Sequence, residues 1–460
     1  MELSIAGVLV CLTLWLLGYA LGAPLIIGLF GSFAFGSTAV ASLGTSTIPI
    51  HIVFAGALLI ALAPRANFPS SLTAVLASQP IAQLTCALVA YAAATAYILP
   101  RLFAHDATIV VPIDSTMVEL PLQPVAGNFN QTGYILLNGL LFLAFAVLLH
   151  WKREGDIRRA FLTWASLQAL LGLIDLVSKT AGLGDILDPV RTSGYANLAD
   201  HGLAGFWRVV GAFPEASAYA AVALQALAFA LVDWRLTRSR LSLLVSLTLC
   251  LLLALSTSGT GYVGFAGLLL CLILLALAWR MRGRILFDHV AWLGVALAVL
   301  VVVLALYIYD EDLFDPWVAM LLDATLNKPA SESGLERAYW NRLSIEAFLN
   351  TQGIGVGLGS TRSSSWAISV LAQLGVLGAI GFAVAVGALV LGLVHLDDRR
   401  HGSLPASASM AALVGVFASC FGGSGADPGT IFFIALAIVS AHLGASEKPA
   451  LSVPDASASR

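Results

Sequence analysis

Arginines, aromatic residues and glycines cluster in three stretches of this chain, residue types that can hold an anion and stack on a ring or sugar-like face only if the fold brings them together. The first runs from Phe206 through Trp207, Arg208, Pro214, Glu215 and Ser217 to Tyr219. Pro214 suits a helix start, and Glu215 complements the positive end of the helix dipole. Arg208 lies just upstream, near membrane level, where a guanidinium is costly unless an anion meets it. The second stretch, Ser333 to Arg342 and on to Leu349, repeats apolar and polar residues at helical spacing, which predicts a short helix lying along the membrane surface. There Arg337 and Asn341 share a face at i,i+4 with Arg342 beside them. Two such close guanidiniums repel unless they share an anion, and their forked donors match the oxygens of a diphosphate. The third stretch, Gln352 to Ser365, places glycine at 353, 355, 357 and 359 ahead of Arg362. Alternate glycines let a backbone approach a ligand and expose amide donors.

Trp207, Tyr219 and Tyr339 offer ring faces on which a sugar can stack, and Arg191 and His201 add polar groups to the same outer loop as Arg208. A purely structural reading competes with each. Arg208 pairs with Glu215, and Arg337 and Arg342 pair with Glu332, Glu336 and Glu346 on a solvated surface. The Ser256–Tyr262 and Gly422–Gly429 segments offer hydroxyl and amide donors on one reading and are tight turns on the other, which the turn preference of Ser and Gly favours, with Asp427 the one acid in the later turns. No histidine pair has zinc-ligand spacing, so no metal or other cofactor is expected. No GxSxG or SxxK context marks a nucleophile. Cys11, Cys86, Cys250, Cys271 and Cys420 all lie in apolar runs and read as packing residues.

The elements that must position these residues follow from composition. The chain has 460 residues, 59% hydrophobic and 11% charged, too few charges to cover a soluble protein of this length. Apolar runs of about 17–25 residues each match the hydrocarbon thickness, and in lipid they must be helical. No basic stripe suggests a nucleic-acid partner. Basic clusters at Lys152–Arg153 with Arg158 and Arg159, at Arg235–Arg240, at Arg280–Arg284 and at Arg399–Arg400 face the cytoplasm by the positive-inside rule. The alternation predicts helices at roughly 80–100, 134–150, 160–178, 216–234, 241–257, 261–279, 289–308, 369–396, 404–422 and 429–445. Two or three more precede Arg65, making about 12–13 crossings of an all-α polytopic integral membrane protein. Residues 1–445 form one transmembrane domain with long outer loops at about 101–133, 179–215 and 309–366 that carry short helices. The first of these loops holds β-favouring pieces at Ile109–Ile113 and Met117–Leu120. The tail, 446–460, is polar and reads as disordered and cytoplasmic.

This order of motifs resembles the Wzy and O-antigen-ligase superfamily of membrane glycosyltransferases: an Arg ahead of G-x-F-x-E-x-S, an S-T-x-G turn, a long outer loop with clustered Arg, G-x-G-x-G-S, and then S-S…L-x-x-L-G-x-x-G. The resemblance covers about the last 280 residues. It implies a GT-C-like fold in the bacterial inner membrane with a periplasmic active site. It also implies inverting, metal-independent transfer of a glycan from undecaprenyl diphosphate, with arginines on the leaving group. Carried onto this chain, Arg208, Arg337 and Arg342 take that role. The final outer loop, 309–366, lacks the histidine that ligases of the superfamily carry, so the resemblance favours a repeat-unit polymerase, with Glu215 orienting or deprotonating the acceptor. Lipid-linked donor and acceptor glycans, the bilayer and a chain-length regulator are the implied partners. A ligase acting on lipid A core or protein, and a lipid-linked glycan transporter, are the alternatives. The sparse charge inside the helices argues against transport.

Overall fold

In lipid the backbone has no partner except itself, so the runs rich in Leu, Ala and Val become helices. The computed structural model describes residues 2–43, 46–113, 116–193, 208–256, 258–281, 331–395 and 402–446. The predicted helix at 289–308, residues 309–330 of the last long loop and the tail from 447 lie outside the described residues. A short strand β1 (Glu2–Leu3) precedes α1 (Ile5–Ala20) and α2 (Pro24–Ser32). The hairpin β2 (Ala39–Leu43) and β3 (Ser46–Pro49) pairs antiparallel, and β1 adds to it as a third strand. Next come α3 (Ile50–Leu62), α4 (Phe68–Ser78) and α5 (Pro80–Leu102). A second hairpin, β4 (Thr108–Ile113) and β5 (Thr116–Pro121), occupies the predicted β-favouring pieces of the first long loop. The chain continues through α6 (Ala126–His150), α7 (Glu154–Thr180), α8 (Ala216–Thr237), α9 (Arg240–Leu255) and α10 (Gly259–Met281). It ends with α11 (Glu332–Asn350), α12 (Trp366–His395), α13 (Leu404–Ser419) and α14 (Thr430–Ser446).

Five of these helices, α5, α6, α7, α8 and α12, are long and apolar enough to cross a bilayer, and the protein is membrane-embedded. Three helices precede Arg65, and α2, at 9 residues, is too short to span alone.

The two basic clusters whose side chains are described, Lys152–Arg159 and Arg235–Arg240, lie at one end of the bundle, while Arg282, Arg284, Arg399 and Arg400 lie outside the described residues. The Arg65 guanidinium sits 5.7 Å over the Trp151 ring, whose Nε1 donates to Ser71 Oγ at 2.8 Å. Arg158 grips the fully buried Asp233 through two bonds of 2.7 Å, and the hydroxyls of Ser242 and Ser403 donate to the same carboxylate at 2.7 and 2.6 Å. One carboxylate thus ties the ends of α7, α8, α9 and α13 together. Between the ends α8 meets α13, where Gly415 of α13 lies against Gln225 of α8, a small residue that lets two backbones approach. Phe161 stacks on Phe229 at 4.4 Å to join α7 to α8.

At the opposite end a second buried carboxylate organises the chain. Asp175 of α7 is fully buried and accepts from Lys179 Nζ at 3.0 Å and from Arg191 Nη2 at 3.3 Å. It also accepts from the backbone amides of Val210 at 2.7 Å and Gly211 at 3.2 Å. Lys179 in turn donates to Arg208 O at 3.1 Å, and Arg191 Nε donates to Gly211 O at 3.1 Å. The segment that leads into α8 is therefore clamped from both sides. Asp175→Ala removes the buried carboxylate shared by Lys179, Arg191 and two backbone amides, leaving Asp185 to match Arg191, and should destabilise the protein by about 3–5 kcal/mol. Thermal unfolding of the detergent-purified protein, followed by tryptophan fluorescence, measures that loss.

Candidate active site

The glycine-rich loop sets the geometry of the site. Its glycines at 353, 355, 357 and 359 all adopt positive φ, between +78° and +96°, and the loop wedges between α5, α6 and α12. A Cβ on Gly359 would lie 2.3 Å from Gly127 O, so only glycine fits there. The loop also lies against the break in α12 at Gly375 (φ +65°), where Val376 N donates to Gly353 O at 2.9 Å. Tyr91 Oη donates to the freed Leu374 O at 2.8 Å, so the broken helix leaves these groups satisfied.

The expectation that this loop offers amides to a ligand is overturned. Gly355 N donates to Thr351 Oγ1, Val356 N to Ala372 O, Gly357 N to Gln373 O and Gly359 N to Gln373 Oε1. The close approach is of protein to protein, and what the loop presents is a side chain. Arg362 N donates to Val110 O at 2.8 Å, and Val110 N donates to Thr361 Oγ1 at 3.2 Å, which docks the loop along the edge of β4. Gln373 Nε2 holds Thr361 O at 2.7 Å, and Asn128 Nδ2 holds Leu358 O at 2.7 Å and Ser360 Oγ at 2.8 Å.

The Arg362 guanidinium lies 5.7 Å from the Trp340 ring, and its buried Nε meets no acceptor among the described residues. Burial pushes its pKa down, the Arg337 charge pushes it further the same way, and Glu215 opposes both. Burial likewise pushes Arg208 down, against the pull of Glu215 and the Tyr262 hydroxyl. Arg208 and Arg362 thus arrive from separate segments into the field of one acid, Glu215, whose carboxylate accepts from Ser217 Oγ, and Arg337 of a third segment lies close enough to Arg362 to act on its charge. Desolvated guanidiniums gathered around one carboxylate favour the arrival of a further anion. Asn341 supports the cluster from α11, its Oδ1 accepting from Ser364 N at 2.7 Å.

Other candidates stand apart from this cluster. Arg342 pairs with Glu346 at 2.8 Å with its side chain 75% exposed, the structural pairing weighed above. Tyr339 Oη donates to Glu119 Oε1 at 2.7 Å, linking α11 to β5. Arg191 is buried in the Asp175 network, bonded also to Asp185. Tyr219 is fully buried, edge-on to Phe213 with ring centres 6.0 Å apart. Trp207 and His201 lie outside the described residues.

Beside Arg362 opens a cavity of about 400 Å³. The β4–β5 hairpin walls it with Val111, Ile113 and Leu120, while Asn130 and Gln131 of α6 and Ser424 of the α13–α14 turn supply polar groups. Sequence reading took Tyr262 mainly as the end of a tight turn and passed over Gln373 and these amide side chains of α6. Asn128, Asn130, Gln131 and Asn138 in one otherwise apolar helix were the available signal.

Comparison with family models, with curated proteins and with solved structures gives no match to this chain.

The turn under the cavity holds a carboxyl of unusual proton affinity. Asp427 accepts from Asn138 Nδ2 and Gly429 N, both at 2.8 Å. Burial pushes its pKa from 3.8 up to about 6, against those two hydrogen bonds. A carboxyl raised on folding stabilises fully below its unfolded pKa and loses that contribution as pH rises through the folded one. Wild-type melting temperature should therefore fall between about pH 4 and pH 6, by the equivalent of about 2–3 kcal/mol. Asp427→Asn should flatten that slope in a pH series of thermal melts.

Proposed function

We propose that this protein is a glycosyltransferase of the Wzy type, polymerising undecaprenyl-diphosphate-linked oligosaccharide repeat units at the periplasmic face of the bacterial inner membrane. The observation that carries the reading is the approach of Arg208 and Arg362 to Glu215, with Arg337 near Arg362 and Arg362 lining a cavity. Arginine forks suit the paired oxygens of a diphosphate, and their partial burial strengthens the attraction. In the proposed reaction the bond between the donor sugar's anomeric carbon and the diphosphate oxygen breaks. The acceptor hydroxyl oxygen bonds to the opposite face of that carbon, which inverts it. Negative charge grows on the departing diphosphate, where preorganised cations lower the barrier. The acceptor proton passes to Glu215, which the flanking arginines and Ser217 hold in place.

Trp340, stacked on Arg362, presents a ring close to the anion site on which a sugar can lie. The undecaprenyl-linked donor and acceptor, the bilayer and a chain-length regulator remain the proposed partners, and the GT-C-like architecture belongs to the same proposal. Arg342, paired with Glu346 on an exposed face, has no part in it.

Mass analysis of undecaprenyl-diphosphate-linked glycans from a deletion strain tests the reading. Single repeat units should accumulate, and the wild-type gene should restore polymer. Arg208→Ala, Arg337→Ala and Arg362→Ala should each cut polymerisation by ~100-fold or more at normal protein level, while Arg342→Ala should leave it within a few-fold. Normal polymer in all three alanine variants sinks the mechanism. Full-length polymer retained on the lipid indicates a ligase, and unchanged glycans indicate transport.

A further inference from the structure

At the basic end of the bundle, away from the arginine cluster, a groove of about 370 Å³ runs between α1, α7 and α9. Leu17 and Leu21 form one wall, Leu162 and Leu170 the floor, and Leu241 the other wall. On α7 the lining residues recur from Arg159 through Leu162 and Ser166 to Leu170, one stripe of the helix about 16 Å long by the rise per residue. The groove is long, narrow and apolar, and Leu170 and Leu241 are half-exposed along it.

Charge appears at one end only. Arg159 closes the groove there, its side chain 51% exposed, donating to Leu21 O and to Asp156. Asp156 is shared, because Arg153 pairs with it as well, so two guanidiniums face one carboxylate. Arg240, exposed and adjacent to the lining residue Leu241, adds a third cation in the first turn of α9. The helix dipole is positive at that end, so a cation there is disfavoured unless an anion joins it. The nearby Glu154 turns to His442, 3.7 Å away. The groove thus joins an apolar trough, sized for a hydrocarbon chain, to a cationic rim that lacks an equal number of acids among the described residues.

We infer that this groove is a binding site for an anionic phospholipid, with one acyl chain along the Leu162–Leu170 stripe and the phosphate between Arg159 and Arg240. A zwitterionic lipid brings its own ammonium and satisfies the rim less well. A free phosphate ion has nothing to place on the apolar stripe. The inference is independent of the proposed glycosyl transfer, since neither end of the groove reaches the Arg208–Arg362 cluster.

Native mass spectrometry of the protein purified in an uncharged maltoside detergent provides the test, with phosphatidylglycerol and phosphatidylethanolamine of identical chains as probes. A one-to-one phosphatidylglycerol adduct should persist at least fivefold more than the phosphatidylethanolamine adduct. Arg240→Gln should reduce that preference several-fold. Leu170→Trp, which fills an exposed part of the trough without entering the core, should reduce adduct formation while leaving the melting temperature unchanged. Equal retention of the two lipids would overturn the inference, as would displacement of phosphatidylglycerol by inorganic phosphate at equal concentration. So would an adduct that survives both substitutions, since it would have to sit elsewhere.

Discussion

The buried Asp175 carboxylate is the constraint on which the site end of the molecule depends. An ionised acid inside an apolar bundle is tolerated only when cations and amides meet it, and here Lys179, Arg191, Val210 N and Gly211 N all do. Because two of those partners belong to the backbone of the incoming segment, satisfying the charge and fixing the path of the chain are one event. The path leaves Arg208 at the mouth of α8 with Glu215 at the helix entry. Asp233 does the equivalent at the basic end, where Arg158 and two serine hydroxyls converge on it. Asp233 thereby pins α7, α8, α9 and α13 at one end, and Asp175 pins α7 to the approach of α8 at the other, with stacked rings joining α7 to α8 between them.

A different kind of constraint positions Arg362. No ion pair among the described residues holds it. Backbone geometry does, through a run of positive-φ glycines packed against Gly127 and the break at Gly375. The loop's glycine amides are satisfied by protein acceptors, several of them on α12, so the glycine run serves packing and not as a ligand cradle. Edge pairing with Val110 also ties the hairpin to the arginine. A hairpin that walls the cavity therefore cannot move without moving Arg362. Arg337 reaches the same place from α11, whose other face carries Tyr339 and Arg342 to the hairpin and to solvent. The result is a partly desolvated cationic cluster assembled from three segments far apart in the chain.

The two ends differ in how their arginines are matched. At the basic end Arg158 is neutralised by a fully buried acid, a purely structural arrangement. At the other end, Arg208 and Arg362 are pushed down by burial and share the one described acid that acts on both, Glu215. Two partly buried arginines that share one acid contrast with an arginine matched by its own buried acid, and that asymmetry separates the candidate site from the scaffold.

Hydropathy alone located α5, α8, α9, α10, α12, α13 and α14 within a few residues, because lipid permits one backbone solution for a long apolar run, but it began α6 and α7 several residues late, where polar side chains dilute the first turns. It located the β4–β5 hairpin too, since β-branched residues flanked by turn formers have little alternative. It also singled out Arg208, Glu215, Arg337 and Arg362, which the fold brings together. Sequence could not separate Arg337 from Arg342, nor Arg208 from Arg191. Neighbouring positions on one helix point different ways, and which face meets the bundle depends on residues hundreds of positions distant. Burial turned Arg191 and Tyr219 into scaffold, packing turned the glycine run from a donor loop into a wedge, and Gly375 broke a helix whose composition read as continuous. Which side chains are chemically similar was written along the chain. Which of them share one dielectric pocket was decided only by tertiary contacts, because electrostatic coupling falls off with distance in space and not along the sequence.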